Sequence, residues 1–467
     1  MQPMQCVSPA ATREAQQRLV QMALRPSIVR PYFEALLHPD APDSLPGPTI
    51  ECRILDVKYE PGEYCTVLYQ LGQQMVIGSI TWGKADDEVP ESQHIIEPLG
   101  MHVYLFEHDP ALPGLEVARD ASALASALNK ALPACQSGAE RVVRCRATIL
   151  RYRPGRRCTL QIDSWMRDTK SGALQKRTLF GKLYHKLAKA EPAYQEMKLL
   201  ADSTPTRDGR VILAQPAALL PGLLVVLQEP VSGTPLDLLI GGMEGAVTAG
   251  DPRGLDGIIR AAPALAAIHT AGLVAGRERP ITAELKRFEK RAARIAEVDP
   301  DLGTRLGELA KALRATSENL STWGAEVSLI HGDCKPSQFL IGSEGVAILD
   351  FDHCGMSDPA NDVGTFLATL RQCGVRQSLK AHGSAFAVKR SRWLRQLEQR
   401  FLDAYYTASN RETEFRLRAI WYEAAALMRK ALRAFGRSPW SPLPSALMDE
   451  AWSCLEELPG FLLNRTD

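Results

Sequence analysis

The stretch IHGDCKPSQFLIGSEGVAILDFD, residues 330–352, decides the fold. After a short strand, two apolar runs flank the Gly-bounded turn GSEG, which is the pattern of a β-hairpin. Asp333 lies in the loop before the hairpin and Asp350 lies at the end of its second strand. Antiparallel pairing would bring these two carboxylates towards the same end, with Gln338 between them in the chain.

Two carboxylates and an amide oxygen that converge on one site suit a hard, oxygen-ligated cation. Mg²⁺ is the usual choice where phosphates must be neutralised. A carboxylate that is left free of metal can accept a proton from a hydroxyl group. These groups are the minimum that phosphoryl transfer needs, because positioning and charge neutralisation do most of its work. The alternative is that Asp333 and Asp350 only cap turns.

The order HGD, four residues, an amide residue and then DFD resembles the aminoglycoside phosphotransferase and choline kinase group of small-molecule kinases. By this resemblance, Asp333 is the catalytic base, Asp350 is the main Mg²⁺ ligand and Gln338 is a second metal ligand. The group usually has Asn where this chain has Gln338, whose carbonyl lies one methylene further out, and this puts a second metal in doubt. GMSDPANDVG (355–364) resembles the sequel that is usual in the group, which implies structural roles for its two aspartates. LAAIHTAGL (265–273) is similar to the helix that commonly precedes the catalytic loop.

An internal repeat lies upstream of this stretch. ECRILDVKYEPGEYCTVLYQL (51–71) and RCRATILRYRPGRRCTLQIDSW (144–165) align at an offset of 93 residues, and each has a Pro-Gly turn between alternating residues. Beyond a variable loop, the match continues with MVIGSITWGK against TLFGKLYHK, where Ser79 in the first copy stands against Lys182 in the second. We interpret the first copy as part of a cap and not as a second nucleotide site. An N-terminal cap also occurs in bacterial maltokinases, and this architectural likeness gives a weak indication of a sugar substrate.

The second copy supplies the upstream nucleotide lobe that the kinase resemblance requires. Its hairpin would cover the phosphates, with Gly155 at the turn. Lys182 resembles the lysine that holds the α- and β-phosphates of ATP, and Glu196 on the following helix is its expected ion-pair partner. Glu191 is the alternative partner, and Lys186 is a rival for the lysine.

Two further parts of this lobe bear on nucleotide binding. LQEPVSG would form the hinge, where Glu229 and Val231 offer backbone groups to adenine. Arg156 and Arg157 at the hairpin turn are candidates for phosphate contact, and solvated turn charges are an equal alternative. After residue 250 helical patterns dominate, at 261–271, 282–298, 301–323, 389–408, 412–436 and 443–458.

The composition excludes several classes of protein. With 467 residues the chain is too long for a single core, and its net charge of +1 gives no basic footprint for nucleic acid. We expect neither a secretory signal nor a membrane span, because the N-terminus lacks a basic start followed by an apolar stretch and no long apolar run exists. The ten cysteines form no CxxC pair, so reduced thiols in a cytoplasmic protein are the simplest account.

These features together predict an α+β chain with a protein-kinase-like bilobal fold. The predicted parts are an N-terminal α+β cap with the degenerate repeat (1–140), a small antiparallel-sheet nucleotide lobe (141–231) and a mainly helical catalytic and substrate lobe (232–467). The predicted function is ATP- and Mg²⁺-dependent transfer of the γ-phosphoryl group to a hydroxyl of a small molecule, such as a sugar, an amino alcohol or an aminoglycoside. The alternative is a kinase-fold binding module, or pseudokinase, that acts through its cap. The sequence does not identify the acceptor, the oligomeric state or a preference for ATP over GTP.

Overall fold

The structure is a computed structural model that describes residues 13–37, 50–82, 94–241, 252–381, 385–411 and 413–459. No helix within these ranges is both long and apolar enough to cross a membrane.

The N-terminal part combines two helices, a five-stranded antiparallel sheet and a short helical connection. The alternating burial of its strands arises because successive side chains of a strand point to opposite faces. The sheet has the order β1-β2-β3-β5-β4. The elements are α1 (Arg13–Ala23), α2 (Pro26–Leu37), β1 (Cys52–Glu60), β2 (Tyr64–Leu71), β3 (Gln74–Thr81), β4 (His94–Ile96), β5 (Met101–Leu105), α3 (Gly114–Arg119), α4 (Ala121–Ala131) and α5 (Pro133–Gln136).

A second five-stranded antiparallel sheet follows, with the order β10-β11-β8-β7-β6. The helix after β8 packs against β10, β11 and β8. The elements are β6 (Glu140–Arg153), β7 (Arg157–Asp168), β8 (Leu174–Tyr184), α6 (Leu187–Ala201), α7 (Thr204–Arg207), β9 (Ile212–Leu213), β10 (Pro216–Leu220) and β11 (Val225–Gln228).

The two copies of the repeat have the same register in the two sheets. Tyr59 pairs with Cys65 in the first hairpin, and Tyr152 pairs with Cys158 in the second. On the third strand, Ser79 lies opposite Thr66 just as Lys182 lies opposite Thr159. Both turns contain a glycine with positive φ, +71° at Gly62 and +66° at Gly155, a conformation that glycine adopts without steric cost. The first copy thus has the same strand geometry but lacks the lysine.

The remaining chain is mainly helical, with two small sheets of order β12-β15-β16-β9 and β13-β17-β14. Its strands are β12 (Thr234–Pro235), β13 (Arg277–Glu278), β14 (Ser328–Ile330), β15 (Phe339–Ile341), β16 (Val346–Ile348) and β17 (Gly355–Ser357). Its helices are α8 (Leu236–Leu239), α9 (Pro252–His269), α10 (Ile281–Ala296), α11 (Pro300–Ser317), α12 (Asn319–Thr322), α13 (Ala360–Ala381), α14 (Ala385–Ser409), α15 (Thr413–Arg437) and α16 (Leu443–Glu456).

The predicted helices agree with α9, α10, α11, α14, α15 and α16, with differences at their ends. Residue 412, where one of them was expected to begin, lies outside the described residues. The sequence analysis did not predict α13, which begins at Ala360 within GMSDPANDVG (355–364). Most of this helix is buried, so polar and apolar residues do not alternate there with a clear helical period.

The sheet β1-β2-β3-β5-β4 packs against both the second sheet and the helical part. Val57 and Tyr59 belong to the same apolar core as the long C-terminal helices, and the Tyr59 ring stacks on Phe435 with 6.0 Å between centroids. Leu68 and Ile77 belong instead to the core of the second sheet. The N-terminal sheet therefore contacts both lobes. The domain boundaries at 140 and 231 stay a prediction.

Candidate active site

The hairpin β15–β16 forms as the sequence predicts and carries two candidate metal ligands at one end. Phe339 pairs with Ile348 in antiparallel register, and Gln338 and Asp350 lie just beyond this pair. Gln338 Nε2 lies 3.4 Å from Asp350 Oδ2. Asp350 has φ +65°, an uncommon left-handed conformation for a residue with a side chain. The backbone here is held by the hydrogen bond of 2.8 Å from the Leu349 amide to the Gln338 carbonyl.

Asp362 at the start of α13 organises the loop that contains Asp333. Its carboxylate is fully buried and accepts the amide protons of His331 at 2.5 Å and Gly332 at 2.8 Å. His269 Nε2 lies 3.1 Å from the same carboxylate. Burial alone would raise the pKa of Asp362, but the hydrogen bonds from His269 and from the loop lower it. Gly332 has φ +74°, and a Cβ there would collide with the His353 carbonyl, so this position requires glycine.

Asp358, the other aspartate of GMSDPANDVG (355–364), forms hydrogen bonds with groups outside the loop of Asp333. It accepts hydrogen bonds from the Ala360 amide at 2.9 Å and from Arg418 Nε at 2.8 Å. Both Asp358 and Asp362 therefore have the structural surroundings that the resemblance implied.

Asp333 lies beside cationic side chains. Its carboxylate accepts a hydrogen bond from Lys335 Nζ, and its side chain is 19% exposed to solvent. Burial would raise the pKa of Asp333, but the positive charges of Lys335 and Arg433 lower it below the ordinary carboxyl value. Asp333 is thus an ionised and accessible proton acceptor at neutral pH.

Four charged side chains form a cluster between the second sheet and the hairpin. Lys182 Nζ donates to Asp350 Oδ1 at 2.7 Å and to Asp352 Oδ1 at 2.8 Å. Arg157 donates to Asp352 and lies 3.4 Å from Asp350, and the Tyr184 hydroxyl donates to Asp352 at 3.0 Å. Burial opposes the charge of Lys182, but Asp352 and Asp350 keep its pKa above the ordinary value. Burial likewise opposes the charge of Asp350, yet Lys182 and Arg157 hold its pKa far below the ordinary value.

The expected ion pair between Lys182 and Glu196 does not form, so this prediction was wrong. Lys182 already bridges two carboxylates, whereas the Glu196 carboxylate accepts a hydrogen bond from the Cys354 thiol. Burial raises the pKa of Glu196. Lys182 and Glu196 nevertheless line the same small cavity. The alternatives Glu191 and Lys186 are both exposed to solvent.

Gly155 lies at the turn as predicted, but its amide faces the N-terminal part. The Gly155 amide donates to Asp109 Oδ2 at 2.7 Å, and the Tyr152 hydroxyl donates to the same oxygen at 2.6 Å. The other oxygen of Asp109 accepts the Ala111 amide at 3.0 Å. The Gly155 amide is therefore already bonded to Asp109, and the position of this turn over the phosphates stays a prediction. Asp109 and Asp352 were both missed. Asp352 could have been found from the sequence, because it is the second aspartate of DFD. Asp109 could not, because it is distant in sequence from the turn that it binds.

Asp109 gives a stability prediction. Asp109 is 2% exposed, and Asp109→Asn would leave one of its three bonded hydrogens without an acceptor. We expect a loss of about 1–3 kcal/mol in the free energy of unfolding, measured by urea denaturation. Tyr152→Phe is the matched control, since it removes one donor and leaves the acceptor satisfied, and we expect a smaller loss. An unchanged midpoint for Asp109→Asn would contradict this assignment.

The proposed hinge lies directly after β11. The Glu229 amide donates to the Gln215 carbonyl at 2.8 Å, and its side chain pairs with Arg177. Within the described ranges, no hydrogen bond uses the Glu229 carbonyl or the Val231 amide. These two backbone groups are the ones that adenine would need.

No cluster of three or more His, Cys, Asp or Glu side chains that would hold a metal occurs in the described part of the chain. A Mg²⁺ site that serves phosphates does not need one, because this ion usually takes one or two carboxylates and completes its shell with phosphate oxygens and water. The donor set of Asp350 and Gln338 fits that requirement.

Comparison with known proteins gives a family match. Residues 165–395 match the model of the phosphotransferase enzyme family. No curated protein matches the sequence significantly.

Several solved kinase structures are distantly similar to this chain. A glucosamine kinase in complex with glucosamine, ADP and inorganic phosphate is 18% identical, covers 90% of this chain and 98% of its own, and has a TM-score of 0.49. The choline kinase from Cryptosporidium parvum is 10% identical, with 74% and 99% covered and a TM-score of 0.47. The choline kinase from Streptococcus pneumoniae is 13% identical, with 63% and 89% covered and a TM-score of 0.39.

All three TM-scores lie below 0.5, so the assignment rests on the family match and on the site. The small antiparallel sheet beside a helical part agrees with the predicted α+β, protein-kinase-like fold. The matched segment contains Lys182, Asp333, Gln338 and Asp350. Residues 165–395 of this chain are therefore similar to the phosphotransferase enzyme family, as the sequence motifs indicated.

Proposed function

We propose that this protein transfers the γ-phosphoryl group of ATP to a hydroxyl group of a small molecule. The observation that carries the proposal is the meeting of Lys182, Gln338 and Asp350 at one end of the hairpin β15–β16, next to the loop of Asp333. A cation for phosphates, oxygen ligands for a metal and a proton acceptor are the parts that phosphoryl transfer requires.

The nucleotide would lie between the second sheet and the helical part. Lys182 would bind its α- and β-phosphates, and Arg157 is a second cation at the same place. The carbonyl of Glu229 and the amide of Val231 would bond the adenine edge. Glu196 would line the nucleotide cavity and would not pair with Lys182. When the nucleotide binds, Lys182 and Arg157 would give up part of their pairing with Asp350 and Asp352 and contact the phosphates instead.

Asp350 and Gln338 would hold Mg²⁺. When bound, this ion neutralises charge on the phosphate oxygens of the nucleotide. The Gln338 amide would turn its oxygen towards the metal, since its nitrogen now faces Asp350.

Asp333 would orient the acceptor hydroxyl and take its proton. The acceptor oxygen forms a bond to the γ-phosphorus while the bond from that phosphorus to the β–γ bridging oxygen breaks, and ADP leaves. The lowered pKa of Asp333 keeps the carboxylate ionised, which suits proton acceptance late in a loose transition state.

Thermal unfolding with MgATP tests the nucleotide site. A ligand that binds only the folded protein raises its unfolding temperature, and at about 100 times Kd the stabilisation is about 2.7 kcal/mol. We expect a Mg²⁺-dependent rise of several degrees for the wild type and none for Lys182→Met. Lys186→Met is the matched control, because Lys186 is exposed and lies just beyond the same strand, and it should behave as the wild type.

The alternative of a kinase-fold binding module makes a different prediction. In that case MgATP at millimolar concentration produces no shift in the wild type, and ADP does not form with any acceptor. The search for ligands would then move to partners of the N-terminal sheet.

A further inference from the structure

Helices α13 and α15 place cationic side chains next to the loop of Asp333. Asp362 of α13 is the residue that bonds that loop. The same face of α13 carries Thr365 and Thr369, which follow Asp362 by three and seven residues. Thr365 lies 3.5 Å from Arg429 Nη1, and Thr369 accepts a hydrogen bond of 2.9 Å from Lys430 Nζ. The α15 cations therefore lie along the face of α13 that begins at the catalytic loop.

Two of these cations have no carboxylate partner. Arg429 pairs with Glu284 at 2.6 Å. Lys430 bonds only the uncharged Thr369 and Gln372, the latter at 3.3 Å, and Arg433, one turn further along α15, pairs with no carboxylate in the part of the chain that the structure describes. Arg433 is exposed to solvent and Lys430 is partly exposed.

The electrostatic influence runs in both directions between this pair and the catalytic loop. The charge of Arg433 helps to lower the pKa of Asp333. Burial, and then the charge of Arg433, lowers the pKa of Lys430 to about 7, while Asp333 opposes that shift. Lys430 and Arg433 therefore interact electrostatically with Asp333, the carboxylate that would accept the hydroxyl proton.

We infer that the acceptor carries an anionic group, a carboxylate or a phosphate, near its reacting hydroxyl, and that Lys430 and Arg433 bind this group. This inference rests on the proposed phosphotransfer function. Two unpaired cations attract an anion and repel an ammonium group, and a bound anion would supply the charge that the fold leaves unmatched there.

The acids nearby do not offer a site for an ammonium group. Glu284 is paired with Arg429, and Asp333 is bonded to Lys335. Asp362 is fully buried and bonded to His269 and the loop. An amine-bearing acceptor would have to displace one of these partners while it faced Lys430 and Arg433.

Two series of related acceptors test the charge of the ligand. One series is glucuronate, glucose 6-phosphate, glucose and glucosamine, and the other is glycerate, glycerol 3-phosphate, glycerol and serinol. We expect the best substrate to be an acidic member, with kcat/KM for ADP formation at least tenfold above the neutral and amine members of its series. The carboxylate and phosphate members distinguish the two anionic groups. A neutral or amine member that is turned over best, or the absence of both turnover and thermal protection with every acidic member, would overturn the inference.

Charge-removing variants test the two residues with the best acidic substrate. Lys430→Met and Arg433→Met should each raise the KM for the acceptor at least tenfold and leave the KM for ATP unchanged, and Arg433→Lys should restore part of the loss. Arg437→Met, one turn further along α15, is the control and should change neither constant. A rise in the KM for ATP instead would assign the cations to the nucleotide and overturn the inference. The MgATP shift of the wild type separates this failure from failure of the nucleotide site itself.

Discussion

Asp333→Asn should reduce the rate of phosphoryl transfer by about 10²–10⁴-fold, the range that general-base catalysis contributes. The asparagine is nearly isosteric but cannot take the hydroxyl proton. Asp333 lies in the loop before the hairpin and is not part of the cluster of Lys182 and Asp350. The MgATP-dependent rise in unfolding temperature should therefore remain in this variant, which shows that the loss lies in the chemical step.

The experiment measures ADP formation at saturating MgATP and acceptor. Lys335→Met is the companion variant, because it removes the cation that bonds Asp333 and leaves the carboxylate in place. We expect a much smaller loss of kcat for Lys335→Met than for Asp333→Asn. Turnover of Asp333→Asn within a few-fold of the wild type would exclude Asp333 as the base, and the capping role would then be the better account.

The hairpin and its polar ends could be predicted because they depend on local patterns. Strand alternation and the GSEG turn fix the register of β15 and β16, and that register brings Gln338 next to Asp350. The repeat could be aligned for the same reason, since the Pro-Gly turn sets the pairing on both sides of it.

The errors concern contacts between distant parts of the chain. The partner of Lys182 was assigned by resemblance to Glu196, yet Lys182 pairs with both Asp350 and Asp352. The bond from the Gly155 amide to Asp109, which is 46 residues away, was likewise not predicted. A local pattern carries no information about such partners.

The first copy of the repeat has a structural use that explains the loss of its lysine. The Ser79 hydroxyl lies 3.1 Å from the Thr66 hydroxyl, so this pair satisfies itself within the sheet. Lys182 of the second copy, by contrast, bridges Asp350 and Asp352 at the end of the hairpin β15–β16. The faces of the first copy instead pack against both lobes, through Tyr59 on one side and Leu68 on the other.

Asp350→Asn should have the second large effect, on both stability and metal dependence. In the wild type, Asp350 and Asp352 neutralise Arg157 and Lys182, and the four side chains are only 11–20% exposed. Removal of one partner from a buried ion pair costs about 3–5 kcal/mol, and the residual exposure of these groups places the expected loss at the lower end.

The stability loss of Asp350→Asn should have a defined pH dependence. A carboxylate whose folded-state pKa is lowered stabilises the protein above its unfolded-state pKa, and this contribution disappears as the pH falls below that value. The pKa of Asp350 is lowered from 3.8, so the gap in unfolding free energy between wild type and variant should stay constant from pH 8 to pH 5. A gap that shrinks within this window would mean that Asp350 is not held ionised by Lys182 and Arg157.

Asp352→Asn is the matched control that separates the metal ligand from the ion-pair partner. Asp352 bonds the same two cations and Tyr184, but the Gln338 side chain lies within hydrogen-bond distance of Asp350. Both variants should therefore lose stability, whereas only Asp350→Asn should lose the Mg²⁺ dependence of ATP binding, measured by calorimetry with and without the metal. Loss of that dependence in Asp352→Asn and its retention in Asp350→Asn would exchange the two roles. The first aspartate of DFD would then anchor Lys182, and the second would hold the metal.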